Sequence, residues 1–202
     1  MKLSREMFSV YGVTPNNPDA ESIEKAINGG VKIIQLRMKN ANRKEFLEMA
    51  LKVKKICEGK ALFIINDDVS IAAEIDADGV HLGQGDMKIS DARKMLKNKI
   101  IGLSAHNREE AIQAEKDGAD YIGCGAMFPT ETKNDVIPLS LFELREICRV
   151  VTIPVVAIGG ISLDNMSCLK DSGIDGIAVS SALFKGDAKE FVERWKSICK
   201  KC

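Results

Sequence analysis

Short apolar runs that break off abruptly on polar residues recur along this chain, and they constrain the fold more than any other feature. Two of them follow one another near the centre. Residues 62–65 (Leu-Phe-Ile-Ile) end on Asn66 and Asp67, and residues 79–82 (Gly-Val-His-Leu) end on Gly83, Gln84 and Asp86. Each run is too short for a helix and reads as a buried strand. The connection between them is short and amphipathic, which predicts parallel strands joined by a helix. Both polar tails then leave the sheet at one edge, and Asp67 faces Asp86 across one rim. Two carboxylates about 4 Å apart repel by roughly 4 kcal/mol at an effective dielectric near 20. A shared proton, a neighbouring cation or a divalent metal offsets that repulsion; Mg²⁺ held by one or two carboxylates plus water and phosphate is a common solution. Ordinary turn or N-cap duty for both aspartates is the plainer alternative.

The same alternation runs through the whole chain. Strands are predicted at residues 8–13, 31–36, 62–65, 79–82, 100–103, 121–124, 155–158 and 176–179. Helices between them have recognisable starts. Asn42 precedes an apolar face of Phe46, Met49, Ala50, Val53 and Cys57 at helical spacing. Asn107 with Glu110, Ser140 with Glu143 and Asp187 with Glu190 fit an N-cap with an acidic third position. Gly29-Gly30, Gly118 and Gly173 suit left-handed helix ends. An echo, Asp78-Gly79-Val80, Asp120-Tyr121-Ile122 and Asp175-Gly176-Ile177, opens successive even-numbered strands, with residues 30–33 in the corresponding place at the second. Eight strands alternating with eight helices predict an α/β fold, a (β/α)₈ TIM barrel forming a single domain over residues 1–202. A doubly wound open sheet is the alternative, but no Gly-x-Gly-x-x-Gly turn follows the first strand.

Composition narrows the partners. The 29 basic residues are balanced by 29 acidic ones, so no net field favours nucleic acid or an anionic membrane. No apolar stretch reaches the roughly 20 residues needed to span a bilayer, and the N-terminal residues lack a signal-peptide pattern. A cytoplasmic protein with small-molecule partners is expected, with homo-oligomer formation left open. The six cysteines are scattered and read as reduced thiols. Cys199 and Cys202 form a lone Cys-x-x-Cys without a second ligand pair for zinc.

In a barrel of this type the active site lies at the C-terminal ends of the strands, and those ends are rich in chemistry. Gln35, Arg37 and Lys39 alternate after the second strand and point to one side, unless the strand ends early and they are solvated loop charges. Asn66 and Asp67 follow the third strand, Gln84 and Asp86 the fourth, Ser104 and His106 the fifth. After the sixth comes a long segment with Thr130, Thr132 and Lys133. Gly159-Gly160 after the seventh and Ser180-Ser181 after the eighth suit a phosphate cradle of exposed N–H groups. Two anion sites therefore share one rim: cations beside a carboxylate pair suit a diphosphate, and the glycine cradle suits a single phosphate. His81, inside a strand, is read as structural, and His106 as a rim residue.

These stretches resemble the thiamine-phosphate synthase family. The resemblance rests on Gln-Leu-Arg-Met-Lys (35–39), Ile-Ile-Asn-Asp (64–67), Gly-Val-His-Leu-Gly-Gln-Gly-Asp (79–86) and Ile-Gly-Leu-Ser-Ala-His (101–106). Phe-Pro-Thr-Glu-Thr-Lys (128–133) and Val-Ala-Ile-Gly-Gly-Ile (156–161) complete it, over about residues 11–184. It implies a transferase of thiamine biosynthesis that joins hydroxymethylpyrimidine diphosphate to hydroxyethylthiazole phosphate, releasing pyrophosphate with Mg²⁺ by a dissociative mechanism. By the same resemblance Gln35, Arg37, Lys39, Asn66, Ser104 and Lys133 hold the diphosphate substrate, and Arg37, Lys39, Lys133 and Ser104 act on its departure. Asp67 and Asp86 hold Mg²⁺; Thr130, Thr132, Gly160, Ser180 and Ser181 hold the thiazole phosphate. Met38, Pro15 and Ser180 depart from the family pattern without removing a diphosphate or metal contact. A thiazole tautomerase of the same barrel family carries a histidine where Ala126 stands here, and a methyl group cannot shuttle a proton. A non-catalytic barrel that binds thiamine-type phosphates would not need the set of Arg37, Lys39, Asp67 and Asp86.

Overall fold

A computed structural model describes residues 3–129 and 138–199. Eight parallel strands close into a barrel in sequence order: β1 Val10–Val13, β2 Ile33–Leu36, β3 Leu62–Asn66, β4 Gly79–Leu82, β5 Ile100–Ala105, β6 Tyr121–Cys124, β7 Val155–Ile158 and β8 Gly176–Val179. The helices are α1 Ala20–Asn28, α2 Arg43–Cys57, α3 Val69–Glu74, α4 Ile89–Leu96, α5 Arg108–Lys116, α6 Leu141–Val150, α7 Ser181–Phe184 and α8 Ala188–Cys199. The open-sheet alternative falls, because β8 pairs with β1 through Tyr11 and Ala178.

Strict strand-helix alternation fails after β7. A 3₁₀ turn, Met166–Leu169, stands there, and two helices, α7 and α8, follow β8. Met166 and Leu169 are the buried pair of that turn, at the i,i+3 spacing that a 3₁₀ helix eclipses. The first strand also starts later than its apolar run predicts. Phe8 belongs to a 3₁₀ turn, Arg5–Phe8, and its fully buried ring lies 5.0 Å from that of Tyr121.

Helix starts follow the sequence closely. Asn42 and Glu45 form a complete capping box on α2. Asn107, Ser140 and Asp187 each accept the N–H three residues on, from Glu110, Glu143 and Glu190. Of the predicted left-handed helix ends, Gly30, Gly118 and Gly173 have positive φ, whereas Gly29 does not.

The Asp echo has a physical cause. Asp78, Asp120 and Asp175, just before β4, β6 and β8, accept the backbone N–H groups of Phe63, Ile101 and Val155 at 2.8, 2.7 and 2.8 Å. Each half-buried carboxylate thus ties an even strand to the odd strand before it, at the N-terminal end of the barrel. Hydrogen bonds to charged groups contribute about 1.5–3 kcal/mol each.

Apolar packing separates into two layers. Outward-facing strand residues such as Ile34, Phe63, Val80, Ile101 and Ile177 pack against the helices. A smaller cluster fills the barrel interior, with Tyr11, Ile33, Leu62, Ile64, Tyr121, Val156 and Ala178. The tyrosines fit because neighbouring strands carry glycine: a Cβ on Gly102 would collide with the Tyr121 ring. Among the described residues no helix is long and apolar enough to cross a membrane.

Candidate active site

Parallel pairing throughout brings all strand C-termini to one rim, and most of the predicted residues that are described follow those ends in the chain. At the end of β3 the backbone turns sharply. Asp67 has φ +66°, a left-handed conformation that aspartate tolerates better than most residues. Its N–H is held by the His81 carbonyl at 2.9 Å, and Asp68 caps α3 through Ile71. Asp86 is fixed from the next loop, where it accepts the Gly83 N–H at 2.6 Å. The Asp67 and Asp86 carboxyls lie within hydrogen-bonding reach of each other, as the parallel strand reading predicted.

That proximity perturbs Asp67. Desolvation among the rim loops, then the hydrogen bond and charge of Asp86, push its pKa up to about 6, against the opposing pull of Lys39 and Arg37. A divalent cation between the two oxygens would relieve the same repulsion. Among the described residues no group of three or more metal-ligating side chains occurs. The donor set is therefore a carboxylate pair with room for water and phosphate, which suits Mg²⁺ better than a fully protein-ligated metal.

Beside the pair lie the two cations. Strand β2 ends at Leu36, so Arg37 and Lys39 fall outside it, yet their backbone stays pinned to the loop after β1. Thr14 donates its N–H to the Gln35 carbonyl at 2.9 Å and accepts the Arg37 N–H at 3.0 Å. Asn16 accepts the Lys39 N–H at 3.0 Å. The backbone of residues 35, 37 and 39 is thus tied in turn to the end of β1 and the loop after it, although the strand itself ends early. Arg37 is half-buried, and burial lowers its pKa despite the Asp67 charge nearby. Among the described residues neither Arg37 nor Lys39 has a carboxylate within ion-pair distance. Two cations at the rim without an ion-paired carboxylate among the described residues favour an anionic ligand.

Gln35 does more than its position predicted. Its amide Nε2 donates to the Tyr11 hydroxyl at 2.9 Å, inside the barrel. Tyr11 and Tyr121 bond through their hydroxyls at 2.8 Å, Tyr121 meets His81 Nδ1 at 2.9 Å, and His81 Nε2 meets Ser104 Oγ at 3.0 Å. A continuous polar chain therefore crosses the interior from β2 to β5. The sequence did not reveal it, since both tyrosines sit in strand runs that read as core. One available signal was that the chain has only two tyrosines, and both fall at interior strand positions. His81, expected to be structural, sits in the middle of this polar chain, while His106 is turned to the start of α5, bonded to Glu110 at 2.9 Å. Asn66 ends β3 directly opposite His81, and the Ser104 carbonyl accepts Gln84 Nε2 at 2.6 Å.

Across the barrel, Gly159 and Gly160 have φ +103° and +64°. Side chains there would collide with Ala126 and with the Pro129 carbonyl, so glycine lets the two loops approach closely. Phe128 donates its N–H to the Gly159 carbonyl at 3.0 Å, and Asn165 holds the Gly160 carbonyl at 2.8 Å. Ser180 follows β8 as the N-cap position of α7, and Ser181 opens that helix, a single four-residue turn. Thr130, Thr132 and Lys133 lie outside the described residues. A cleft of about 400 Å³ at the opposite end, lined by Arg145, Cys148, Arg149, Asp171, Ser172 and Gly173, is remote from this chemistry. Burial pushes the Cys148 thiol there to about 11, which disfavours the reactive thiolate.

Comparison with known proteins agrees with this geometry. The family model described as thiamine monophosphate synthase matches residues 10–183. A thiamine-phosphate synthase of Pyrococcus abyssi is 43% identical over 198 residues, covering 96% of each chain. One from Clostridium acetobutylicum is 52% identical over 165 residues, covering 81% of this chain and 78% of its own. A solved thiamine phosphate pyrophosphorylase from Pyrococcus furiosus superimposes with a TM-score of 0.88 at 41% identity, covering 98% of both chains. A match over most of the chain, with relatives this similar and a rim of this composition, places the chain in the thiamine monophosphate synthase family.

Proposed function

We propose that this barrel is a thiamine-phosphate synthase, condensing hydroxymethylpyrimidine diphosphate with hydroxyethylthiazole phosphate to give thiamine phosphate and pyrophosphate. The observation that carries this reading is the Asp67–Asp86 carboxylate pair beside two cations that lack an ion-pair partner among the described residues. A pair so arranged suits a metal-bound diphosphate leaving group. The substrates are small molecules. The eight strands close one sheet and the helices pack upon it, which supports treating residues 1–202 as one domain.

The reaction breaks the bond between the pyrimidine methylene carbon and its diphosphate oxygen, and the electron pair leaves with pyrophosphate. The thiazole nitrogen then donates its lone pair to the methylene carbon. No protein nucleophile takes part. Asp67 and Asp86 would hold Mg²⁺, which would supply positive charge to the diphosphate when bound. Arg37 and Lys39 approach the departing oxygens, and their attraction grows as negative charge accumulates there. Ser104, Asn66 and Gln35 position the pyrimidine portion, with Lys133 assigned to the diphosphate by family resemblance. Gly160, Ser180 and Ser181, with Thr130 and Thr132, hold the thiazole phosphate so that its nitrogen faces the methylene carbon.

Mixing the two substrates with Mg²⁺ and measuring thiamine phosphate and pyrophosphate tests the reading. Equal formation of both products is expected. Conversion of a thiazole tautomer without pyrophosphate, or tight binding of both ligands without turnover, would overturn it.

A further inference from the structure

The hydrogen-bonded chain from Gln35 to Ser104 is continuous, and the reaction outlined above gives its interior no role. Its ends are two groups assigned to the pyrimidine substrate; its middle consists of three residues that are not. We infer that this chain has one donor direction, set by the Gln35 amide, which holds His81 as its Nε2–H tautomer and leaves the Ser104 hydroxyl proton to donate into the site. Tyr11, Tyr121 and His81 are then positioning residues acting through Ser104. The substrate end of this inference rests on the proposed function; the tautomer does not.

Proton accounting gives the direction. A Gln Nε2 group can only donate, and it donates to the Tyr11 oxygen. Tyr11 therefore directs its own proton to the Tyr121 oxygen, 2.8 Å away. Were Tyr121 the donor instead, the Tyr11 oxygen would accept twice, and its proton would lack an acceptor within this chain. Tyr11 is only 2% exposed, and an unmade hydrogen bond at such a site costs about 1–3 kcal/mol. Tyr121 then donates to His81 Nδ1 at 2.9 Å. With Nδ1 accepting, neutral imidazole carries its proton on Nε2 and donates it to Ser104 Oγ at 3.0 Å. Ser104 keeps its own proton for another partner, and the serine is half-exposed at the rim. Burial raises the pKa of both tyrosines far above the ordinary value, so both remain protonated donors. Glycine at 123 leaves the space that the His81 ring fills, since a Cβ at that position would stand only 3.0 Å from Cε1 of the ring.

The test is spectroscopic and uses ligand-free protein. The chain has two histidines, so a His106→Gln background leaves one imidazole signal. Long-range proton–nitrogen correlation at mildly alkaline pH distinguishes the two neutral tautomers. A protonated Nε2 with a pyridine-type Nδ1 is expected. Tyr121→Phe removes the donor to Nδ1 and should bring the Nδ1–H tautomer into the spectrum. Gln35→Glu replaces the donor by an acceptor and should reverse the chain, making Nδ1–H predominant. A native Nδ1–H tautomer overturns the inference even if both variants fail to fold, and so does an unchanged tautomer in folded Tyr121→Phe. Kinetics test the Ser104 end. Tyr121→Phe should lower kcat about tenfold, the value of one ordinary hydrogen bond, but add nothing in a Ser104→Ala background. Equal losses in both backgrounds would refute action through Ser104. A native protein that forms no thiamine phosphate would refute the proposed function and leave the tautomer result standing.

Discussion

Asp67→Asn isolates the electrostatic cost of the carboxylate pair without disturbing its backbone. Asparagine tolerates the left-handed conformation at φ +66° about as well as aspartate, so the turn after β3 is retained. Folding raises the Asp67 pKa from 3.8 to about 6. Between those values the unfolded chain has lost this proton while the folded protein keeps it, so stability falls as pH rises through the window. Two units correspond to at most about 3 kcal/mol, and solvent screening of an exposed rim carboxylate reduces this to about 1 kcal/mol. The variant should therefore melt roughly 2–4 °C higher than the native protein near neutral pH with chelator present. The difference should shrink as pH falls through 3.8 and vanish about a unit lower, where Asp67 is protonated in both states. Added Mg²⁺ should stabilise the native protein and have a smaller effect on the variant, whose turnover should be strongly reduced. Melting curves across pH, with and without Mg²⁺, provide the measurement. A variant less stable than the native protein at neutral pH without metal, or a difference independent of pH, would refute the reasoning.

Lys39→Ala should lower kcat about 10- to 100-fold, since a charge-assisted contact contributes about 1.5–3 kcal/mol and strengthens as pyrophosphate departs. An effect on KM alone would show that Lys39 binds the ground state equally well. Ser181→Ala should raise KM several-fold for the thiazole phosphate and leave that for the pyrimidine diphosphate unchanged, because the single phosphate keeps its charge throughout the reaction; steady-state kinetics with each substrate varied in turn will show it. Gly102→Ala should destabilise the barrel by about 3 kcal/mol by forcing a Cβ into the Tyr121 ring, measurable as a lower denaturant midpoint with an unchanged slope.

Where function depends on strand ends, the sequence was informative. The polar tails at Asn66-Asp67 and Gly83 to Asp86 could only emerge together once β3 and β4 were read as parallel neighbours, and the structure joins the two carboxylates as expected. The positive φ of Asp67 was hidden, because it is imposed by the His81 carbonyl from another strand. Thr14 and Asn16 were hidden for a similar reason: loop residues pin Arg37 and Lys39 through contacts 23 residues apart in sequence. Tyr11 and Tyr121 announced bulk but not polarity, since a tyrosine in an apolar run gives no sign of what its hydroxyl meets. The missing helix after β7 had a weak signal at most, as Met166 and Leu169 fit either helical type.

The three carboxylates that tie even strands to odd ones have a consequence for how this barrel yields. Asp78, Asp120 and Asp175 fasten the seams β3–β4, β5–β6 and β7–β8 from below. Directly above those seams stand, in turn, Asp67 with Asp86, Ser104 with the β6 loop, and Gly160 with Ser181. The remaining odd–even seam, β1–β2, is fastened from above by Thr14 and Asn16, under Arg37 and Lys39. The molecule is in this sense four paired staves. The two cations and the carboxylate pair stand on adjacent staves, so the β2–β3 ladder from Ile33–Leu62 to Leu36–Ile65 sets the spacing that a diphosphate lying across both would require.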